Sequence, residues 1–277
     1  MDDPLSRRYA IGDLIDIMAR LRDPRTGCPW DVEQSFETIA PYTIEEAYEV
    51  DQAIRDGDMA ELAAELGDLL LQVIFHSRMA EEAGHFTFAD VVHGISDKMV
   101  RRHPHVFAGA TVEDADAQTH AWETQKARER HAKAAAEGRV PSALDGVIPA
   151  LPALLRALKL QKRAARVGFD WPSSDGVIDK IAEEAEELRQ AKDDGSDPDH
   201  IAEEMGDLLF AAANLARHLS LDPEETLRAA NAKFERRFRR IEAFLAESGR
   251  TPEQSDLGEM DTLWNRAKAE EKAGTAD

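Results

Sequence analysis

Ile44-Glu45-Glu46-Ala47-Tyr48-Glu49, followed by Glu65-Leu66-Gly67-Asp68-Leu69-Leu70, returns further along the chain. There it reads Ala182-Glu183-Glu184-Ala185-Glu186-Glu187 and then Glu204-Met205-Gly206-Asp207-Leu208-Leu209. Both copies have the form E-E-x-x-E, a gap, then E-x-G-D-L-L. Corresponding residues are offset by 138 positions (46 to 184) at the first cluster and by 139 (65 to 204) at the second. Two halves that repeat at nearly constant offset are diverged copies of one unit. Glu46 and Glu49 share a helix face, as do Glu65 and Asp68, because residues three apart are helical neighbours. Glu65 and Asp68 fall beside the apolar stripe Leu62, Leu66, Leu69, Leu70 and Val73. Glu204 and Asp207 sit likewise beside Ile201, Met205, Leu208, Leu209 and Ala212. A solvating acidic face belongs opposite the core. Carboxylates at the core boundary of two antiparallel helices converge, and their repulsion calls for a hard divalent cation such as Mg²⁺. A cation of that kind points to phosphate chemistry. Any one E-E-x-x-E alone is better read as an ordinary soluble helix; repetition of both halves, with Gly67 and Gly206 held inside helices, argues against that. A helical glycine costs about 1 kcal/mol relative to alanine and predicts a packing or close-approach reason.

Helical periodicity extends over most of the chain. Ile11, Leu14, Ile15, Met18 and Leu21 recur at helical spacing before Pro24. Further helices are expected over about 43–56, 58–83, 87–102, 150–167, 175–193, 198–219, 222–247 and 259–272. Alternating Val/Ile-rich runs are nearly absent, so no sheet is expected. The prediction is an all-α chain of two tandem repeated helical-bundle domains, residues 1–132 and 150–277. The segment 133–149, with Gly138, Pro141, Gly146 and Pro149, is the connection.

Basic residues repeat as well. Lys98-Met99-Val100-Arg101-Arg102 corresponds to Lys233-Phe234-Glu235-Arg236-Arg237, and Trp122-Glu123-Thr124-Gln125-Lys126 to Trp264-Asn265-Arg266-Ala267-Lys268. Lys98 with Arg102, and Lys233 with Arg237, stand at i, i+4 and can hold one bound group, Arg through its fork and Lys as a point charge. Each pair alone is ordinary surface charge; following each acidic cluster, it reads as the phosphate side of a site. Trp122 and Trp264 are either core residues or neighbours of a nucleotide, with Lys126 and Lys268 beside them.

The 277 residues include 43% apolar and 32% charged residues, with a net charge of −21. That charge repels polyanions, so no nucleic-acid polymer is expected as a partner, whereas a mononucleotide remains compatible. Cys28 is the only cysteine, which excludes an internal disulfide and places the expected compartment in a reducing cytoplasm. Met1-Asp2-Asp3-Pro4 opens acidic, without the apolar run of a leader, and no stretch has the length of a membrane span. Neither a G-x-x-x-x-G-K-[ST] loop nor G-x-S-x-G occurs. Glu82-Ala83-Gly84-His85 has no counterpart in the second copy, and His103 and His105 read as a helix terminus and loop.

These motifs resemble the MazG family of the all-α NTP pyrophosphatase superfamily, bacterial nucleoside triphosphate pyrophosphohydrolases. The resemblance also rests on Leu21-Arg22-Asp23-Pro24, Gly27-Cys28-Pro29-Trp30-Asp31, Arg101-Arg102-His103-Pro104-His105-Val106-Phe107, Val167-Gly168-Phe169-Asp170-Trp171 and Asn231-Ala232-Lys233-Phe234-Glu235-Arg236-Arg237-Phe238. It implies hydrolysis of ribo- and deoxyribonucleoside triphosphates to monophosphate and pyrophosphate, with Mg²⁺ (Mn²⁺ as a substitute), in a homodimer. The implied metal ligands are Glu184, Glu187, Glu204 and Asp207, with Glu46, Glu49, Glu65 and Asp68 as the other set. The implied nucleotide contacts are Lys233, Arg237, Trp264 and Lys268, and the main activity falls to the C-terminal copy. Either Glu183 or an unligated oxygen of Glu187 accepts the proton of the attacking water. The competing expectations are a non-catalytic NTP–Mg²⁺ scaffold or sensor and a narrow dNTP pyrophosphatase such as a dUTPase.

Overall fold

A computed structural model describes residues 8–109 and 114–274; the acidic opening Met1–Pro4 lies outside them. The described residues contain twelve α-helices, one short 3₁₀ turn and no strand. They divide into two compact units, residues 1–122 and 123–277. No helix is long and apolar enough to cross a membrane among the described residues.

The first unit contains α1 (Ile11–Leu21), α2 (Pro29–Glu33), α3 (Phe36–Asp56), α4 (Met59–Glu82), α5 (Phe88–Arg102) and α6 (Pro104–Phe107); α7 (Ala115–Ala136) begins in it and ends in the second. At its centre α3 and α4 form a hairpin. Gly57, at φ +68°, ends α3 in the left-handed region, which glycine adopts without a Cβ penalty. Asp58 caps α4, its side chain accepting from the amides of Ala60 and Glu61. The helices run antiparallel: Thr43, early in α3, meets His76, late in α4, at 3.1 Å. Met18, Ile39, Ile74, Phe75 and Met79 form the core beneath them.

The second unit repeats the hairpin with α9 (Ser174–Asp193) and α10 (Pro198–His218). Gly195, at φ +69°, and the Asp197 cap on the His200 amide turn the chain. Against this hairpin pack α8 (Ala153–Ala165) and α11 (Pro223–Glu247), with α12 (Leu257–Gly274) on α11.

Three features depart from the sequence reading. α3 starts at Phe36 rather than near residue 43, because Ser35 and Thr38 form a reciprocal cap that overrides Pro41 inside the helix. α7 is an additional helix, and it carries the alanine-rich run to Ala136. Part of each apolar stripe on the acidic helices is turned outward: Leu66 is 49% exposed, and Leu70, Met205 and Leu209 are exposed too. The less exposed face of the first hairpin's second helix keeps Leu62 and Leu69 of that stripe and adds Glu65 and Gln72; in the second it keeps Ile201 and Leu208 and adds Glu204 and Ala211. Gly67 and Gly206 have no atom within 4 Å of an added Cβ beyond their own helices, so the expected close approach does not occur among the described residues of the chain.

Arg22 holds the first unit together. It is buried, pairs with Glu82 at the end of α4 at 2.8 Å, lies over the Phe75 ring, and donates to the carbonyls of Asp31 and Gln34. The loop between α1 and α2 folds so tightly that a Cβ on Gly27 would lie 2.3 Å from the Leu21 carbonyl. Desolvation pushes the Glu82 carboxyl up, but bonds and charges from Arg22 and Arg78 outweigh it, and its pKa falls below the ordinary 4.5. A carboxyl depressed in the folded state contributes fully above its unfolded pKa and loses that contribution as pH falls through the folded value. Arg22→Met is therefore expected to destabilise the first unit by roughly 3 kcal/mol at neutral pH. It should also lessen the acid-induced loss of stability below pH 4.5. Denaturant unfolding from neutral to acid pH checks both; an unchanged acid slope would remove Glu82 as its source.

Candidate metal centres and an adjoining cavity

In each hairpin the E-E-x-x-E helix and the E-x-G-D helix bring three carboxylates together. Glu46, Glu49 and Glu65 offer oxygens all within 4.8 Å of one another, and so do Glu184, Glu187 and Glu204. Glu184 is 6% exposed and the Glu204 side chain 16%, so these acids face the helix seam rather than bulk water. Desolvation pushes the Glu46 carboxyl up, followed by the charges of Asp68 and Glu49, while the Gln72 amide, 3.4 Å away, pulls it down. Glu65 is raised by desolvation and then by Glu49, Glu61 and Asp68. Glu187 is raised by desolvation, with Glu184, Glu183 and Glu204 adding to it against Lys180. Like charges gathered in one place destabilise each other until a cation neutralises them. An all-oxygen carboxylate set suits a hard divalent ion.

The two aspartates stand one turn along. Asp68 is exposed and close enough to act on Glu46 and Glu65 through its charge; Asp207 lines a cavity together with Glu184. Glu183 points away from the cluster's buried side, 57% exposed, and accepts from Lys180 at 2.7 Å.

Lys180 is the residue that sequence reasoning missed. Its ammonium lies 2.7 Å from Glu183 and 2.8 Å from Glu184, and those bonds raise its pKa. The legible signal was K-x-x-E-E, an i, i+3 and i+4 cation on the same helix face. The corresponding position in the first copy is Tyr42, edge-on to Trp30. There the amide of Gln72 is the polar partner of the equivalent glutamate, Glu46.

The basic residues are gathered differently. Lys233 and Arg237 lie on α11, and Trp264 and Lys268 on α12. Arg237 donates to Glu271 at 2.8 Å and lies 5.4 Å over the Trp264 ring, which also meets Phe234. Lys233 and Lys268 are exposed. None of the four lines the cavity beside Glu184. In the first copy the Trp122 indole donates to the Arg102 carbonyl at 2.9 Å and meets His103, which caps the end of α5. Lys98 is exposed on α5. Lys126 belongs to the second unit and pairs with Glu123.

The cavity beside the second cluster has a volume of about 730 Å³. Its far wall is the turn after α8. Gly168, at φ +86°, closes that helix, the Gly168 and Phe169 amides donating to the carbonyls of Ala165 and Ala164. Asp170 then grips Arg217 and His218 of α10. The Arg217 bonds come first among the causes that hold its carboxyl below the ordinary range.

Comparison with known proteins bears on this arrangement. The family model described as the MazG nucleotide pyrophosphohydrolase domain matches twice, over residues 34–107 and 173–241. The chain is 50% identical over 262 residues to a nucleoside triphosphate pyrophosphohydrolase of Escherichia coli K12, covering 94% of this chain and 98% of that protein. It is 41% identical over 257 residues to the nucleoside triphosphate pyrophosphohydrolase/pyrophosphatase MazG of Thermotoga maritima, covering 92% of this chain and 94% of that protein.

If the clusters hold cations, a divalent ion such as Mg²⁺ raises the Tm, since a ligand bound only to the folded state at a hundred times its Kd adds about 2.7 kcal/mol. Glu187→Gln is expected to raise the metal-free Tm by relieving repulsion and to shrink the rise that Mg²⁺ produces. Differential scanning calorimetry with chelator and with Mg²⁺ checks this. A variant that lowers the metal-free Tm and keeps the full Mg²⁺ response would place the ion elsewhere.

Proposed function

The chain belongs to the MazG family of nucleotide pyrophosphohydrolases, and we infer that it hydrolyses nucleoside triphosphates to nucleoside monophosphate and pyrophosphate. The doubled carboxylate cluster carries this reading, because triphosphate hydrolysis without a covalent nucleophile needs a place for cations and a proton acceptor. The E. coli and T. maritima relatives bear the name of that activity over nearly their whole length. We propose Mg²⁺ as the ion, with Glu184, Glu187, Glu204 and Asp207 as ligands in the second copy and Glu46, Glu49, Glu65 and Asp68 in the first. When bound, such ions polarise phosphoryl oxygens and lower the pKa of a water. The chain's own residues do the rest. Glu183 or Glu187 takes the water's proton as its oxygen attacks phosphorus and the phosphoanhydride joining the α- and β-phosphates breaks. Lys180 keeps Glu183 and Glu184 in place, and Lys233 and Arg237 offset charge on the departing pyrophosphate. Trp264 and Lys268 flank that basic pair, and Lys98, Arg102, Trp122 and Lys126 are their counterparts in the first copy.

The second copy is the stronger catalyst in this reading. Its cavity adjoins the cluster, whereas the first copy has Gln72 and Phe75 where the second has Ala211 and Asn214 (offset 139). Phe75 is buried in the core. Glu204→Gln and Asp207→Asn are each expected to cut pyrophosphate release about a hundredfold or more, because each removes a charged ligand. Glu65→Gln and Asp68→Asn should cost less. Steady-state rates with product separation test this. Orthophosphate and nucleoside diphosphate as first products would overturn the reaction, and equal losses from both pairs would overturn the ranking.

We also propose two domains, 1–132 and 150–277, a cytoplasmic location and a homodimer. The outward Leu66, Leu70, Met205, Leu209 and Phe210, beside the open Gly67 and Gly206, support the dimer. Apolar faces on the central helices of a bundle are normally covered. Light scattering is expected to give twice the mass of one chain at micromolar concentration, and Leu209→Glu to shift that towards a single chain. A monomer in the unaltered protein would sink the proposal.

A further inference from the structure

A second gathering of like charges lies apart from the carboxylates, and it is positive. Residues 146–169 contain Arg156, Lys159, Lys162, Arg163 and Arg166 and no acid, in a chain of net charge −21. Arg156, Lys159, Arg163 and Arg166 recur at helical spacing along one face of α8 and its C-cap. Leu160, Gln161 and Ala164, which line the cavity, fall on a different face, and none of the four cations lines it. The second half of α7, in the same compact unit, adds Lys126 and Arg130. Two acids stand within reach, and other cations hold both. Glu123 accepts from Arg166 at 2.6 Å and from Lys126 at 3.0 Å. Asp145 accepts from Arg139 at 2.6 Å and from the Ser142 amide at 2.9 Å. Among the described residues no carboxylate pairs with Arg130 or Arg163. The Nη1 of Arg163 is buried and has no hydrogen-bond partner. Desolvation, then the like charges of Arg130 and Arg166, lower the pKa of Arg163, with Glu123 opposing them. The stem of Arg130 is seated on the turn before α8, its Cδ 3.5 Å from where a Cβ on Gly146 would stand.

A cation at a helix C-terminus is ordinary, because it meets the negative end of the helix dipole. That accounts for Arg166, and not for the approach of Arg130 from another helix. We propose that Arg130, Arg163 and Arg166 form a binding site for a diphosphate group, separate from the carboxylate clusters and from the cavity. Guanidinium forks match phosphate oxygens bidentately, and the Nη1 of Arg163 is a donor already removed from water. Two linked phosphates carry the charge and the acceptors to serve three guanidinium groups at once, which a single carboxylate does not. Free pyrophosphate and the diphosphate of a nucleotide share this chemistry. The site stands independently of the reaction assigned to the acidic clusters.

The test is calorimetric titration of the full chain with pyrophosphate and with ADP, in chelator so that no divalent ion occupies the acidic clusters. Pyrophosphate is expected to bind, with a Kd weakened at least fivefold in Arg163→Gln and in Arg130→Gln. Lys233→Gln, in the basic pair on α11, should leave that Kd within twofold. ADP binding no tighter than pyrophosphate, and weakened alike in the two arginine variants, assigns the site to the free anion. Tighter ADP binding with the same weakening assigns it to a nucleotide. Thermal unfolding gives a second readout: pyrophosphate should raise the Tm of the unaltered protein, and each arginine variant should lose at least half of that rise. Each variant also removes one of several crowded like charges, so its Tm without ligand should not fall. Absence of both heat and a Tm rise at millimolar pyrophosphate overturns the site. So does a Kd within twofold of the unaltered value in both arginine variants, or a loss confined to Lys233→Gln, which would place the anion on α11.

Discussion

Carboxylates folded into a helix–helix seam are the constraint around which each hairpin is built. A seam between antiparallel helices ordinarily takes leucine or alanine, and here Glu65 and Glu204 occupy positions in that register. Folding therefore brings negative groups together at the edge of the seam, and the carboxyls of Glu46, Glu65 and Glu187 are raised by partial desolvation and by their like-charged neighbours. Each copy offsets it with a different polar partner. In the first, the Gln72 amide reaches Glu46; in the second, the Lys180 ammonium holds Glu184. An amide lessens the repulsion without removing a charge, whereas an ammonium cancels one, so the two copies meet a cation with different residual charge.

Placing acids in the seam moves the apolar residues elsewhere. Leu66 and Leu70 on α4, and Met205 and Leu209 on α10, stand on the outer side of their hairpins, next to glycines with open space around them. A hydrophobic stripe displaced from the intramolecular seam needs another surface to cover it. The same residue pattern that gathers acids inside the hairpin thus leaves an apolar face outside it.

The helices were legible because their punctuation is local. Asp56-Gly57-Asp58 and Gly195-Ser196-Asp197-Pro198 separate the periodic runs at the two hairpin turns, and the doubled E-x-G-D marks both acid-bearing helices. What escaped was non-local or locally contradicted. The expected start near residue 43 missed the first turns of α3, because the Ser35–Thr38 cap starts that helix at Phe36 and carries it through Pro41. Periodicity located the acids beside the leucine stripe but could not say which of the two faces the partner helix. The cavity was invisible in sequence because it is an absence, formed where Ala164 and Ala211 leave space and Gly168 turns the chain. Lys180 was within reach, since its spacing to Glu183 and Glu184 is local.

The asymmetry of the copies follows from a few positions rather than from the acids they share. Three residues on α10 have different roles in the aligned positions of α4. Ala211 leaves room where Gln72 fills it, and Asn214 lines the cavity where Phe75 joins the Met18–Ile39–Met79 core. Arg217 orients Asn214 through Asp170, whereas Arg78 binds Glu81 and Glu82 and helps hold Arg22 in place. The same guanidinium position serves a cavity in one copy and a packed core in the other. A core residue as large as Phe75 removes the space a ligand needs, while burial of its ring stabilises the unit by about 1.5–3 kcal/mol. The first copy thus has the acids with the neighbouring volume packed by Gln72 and Phe75, and the second has the same acids with that volume open.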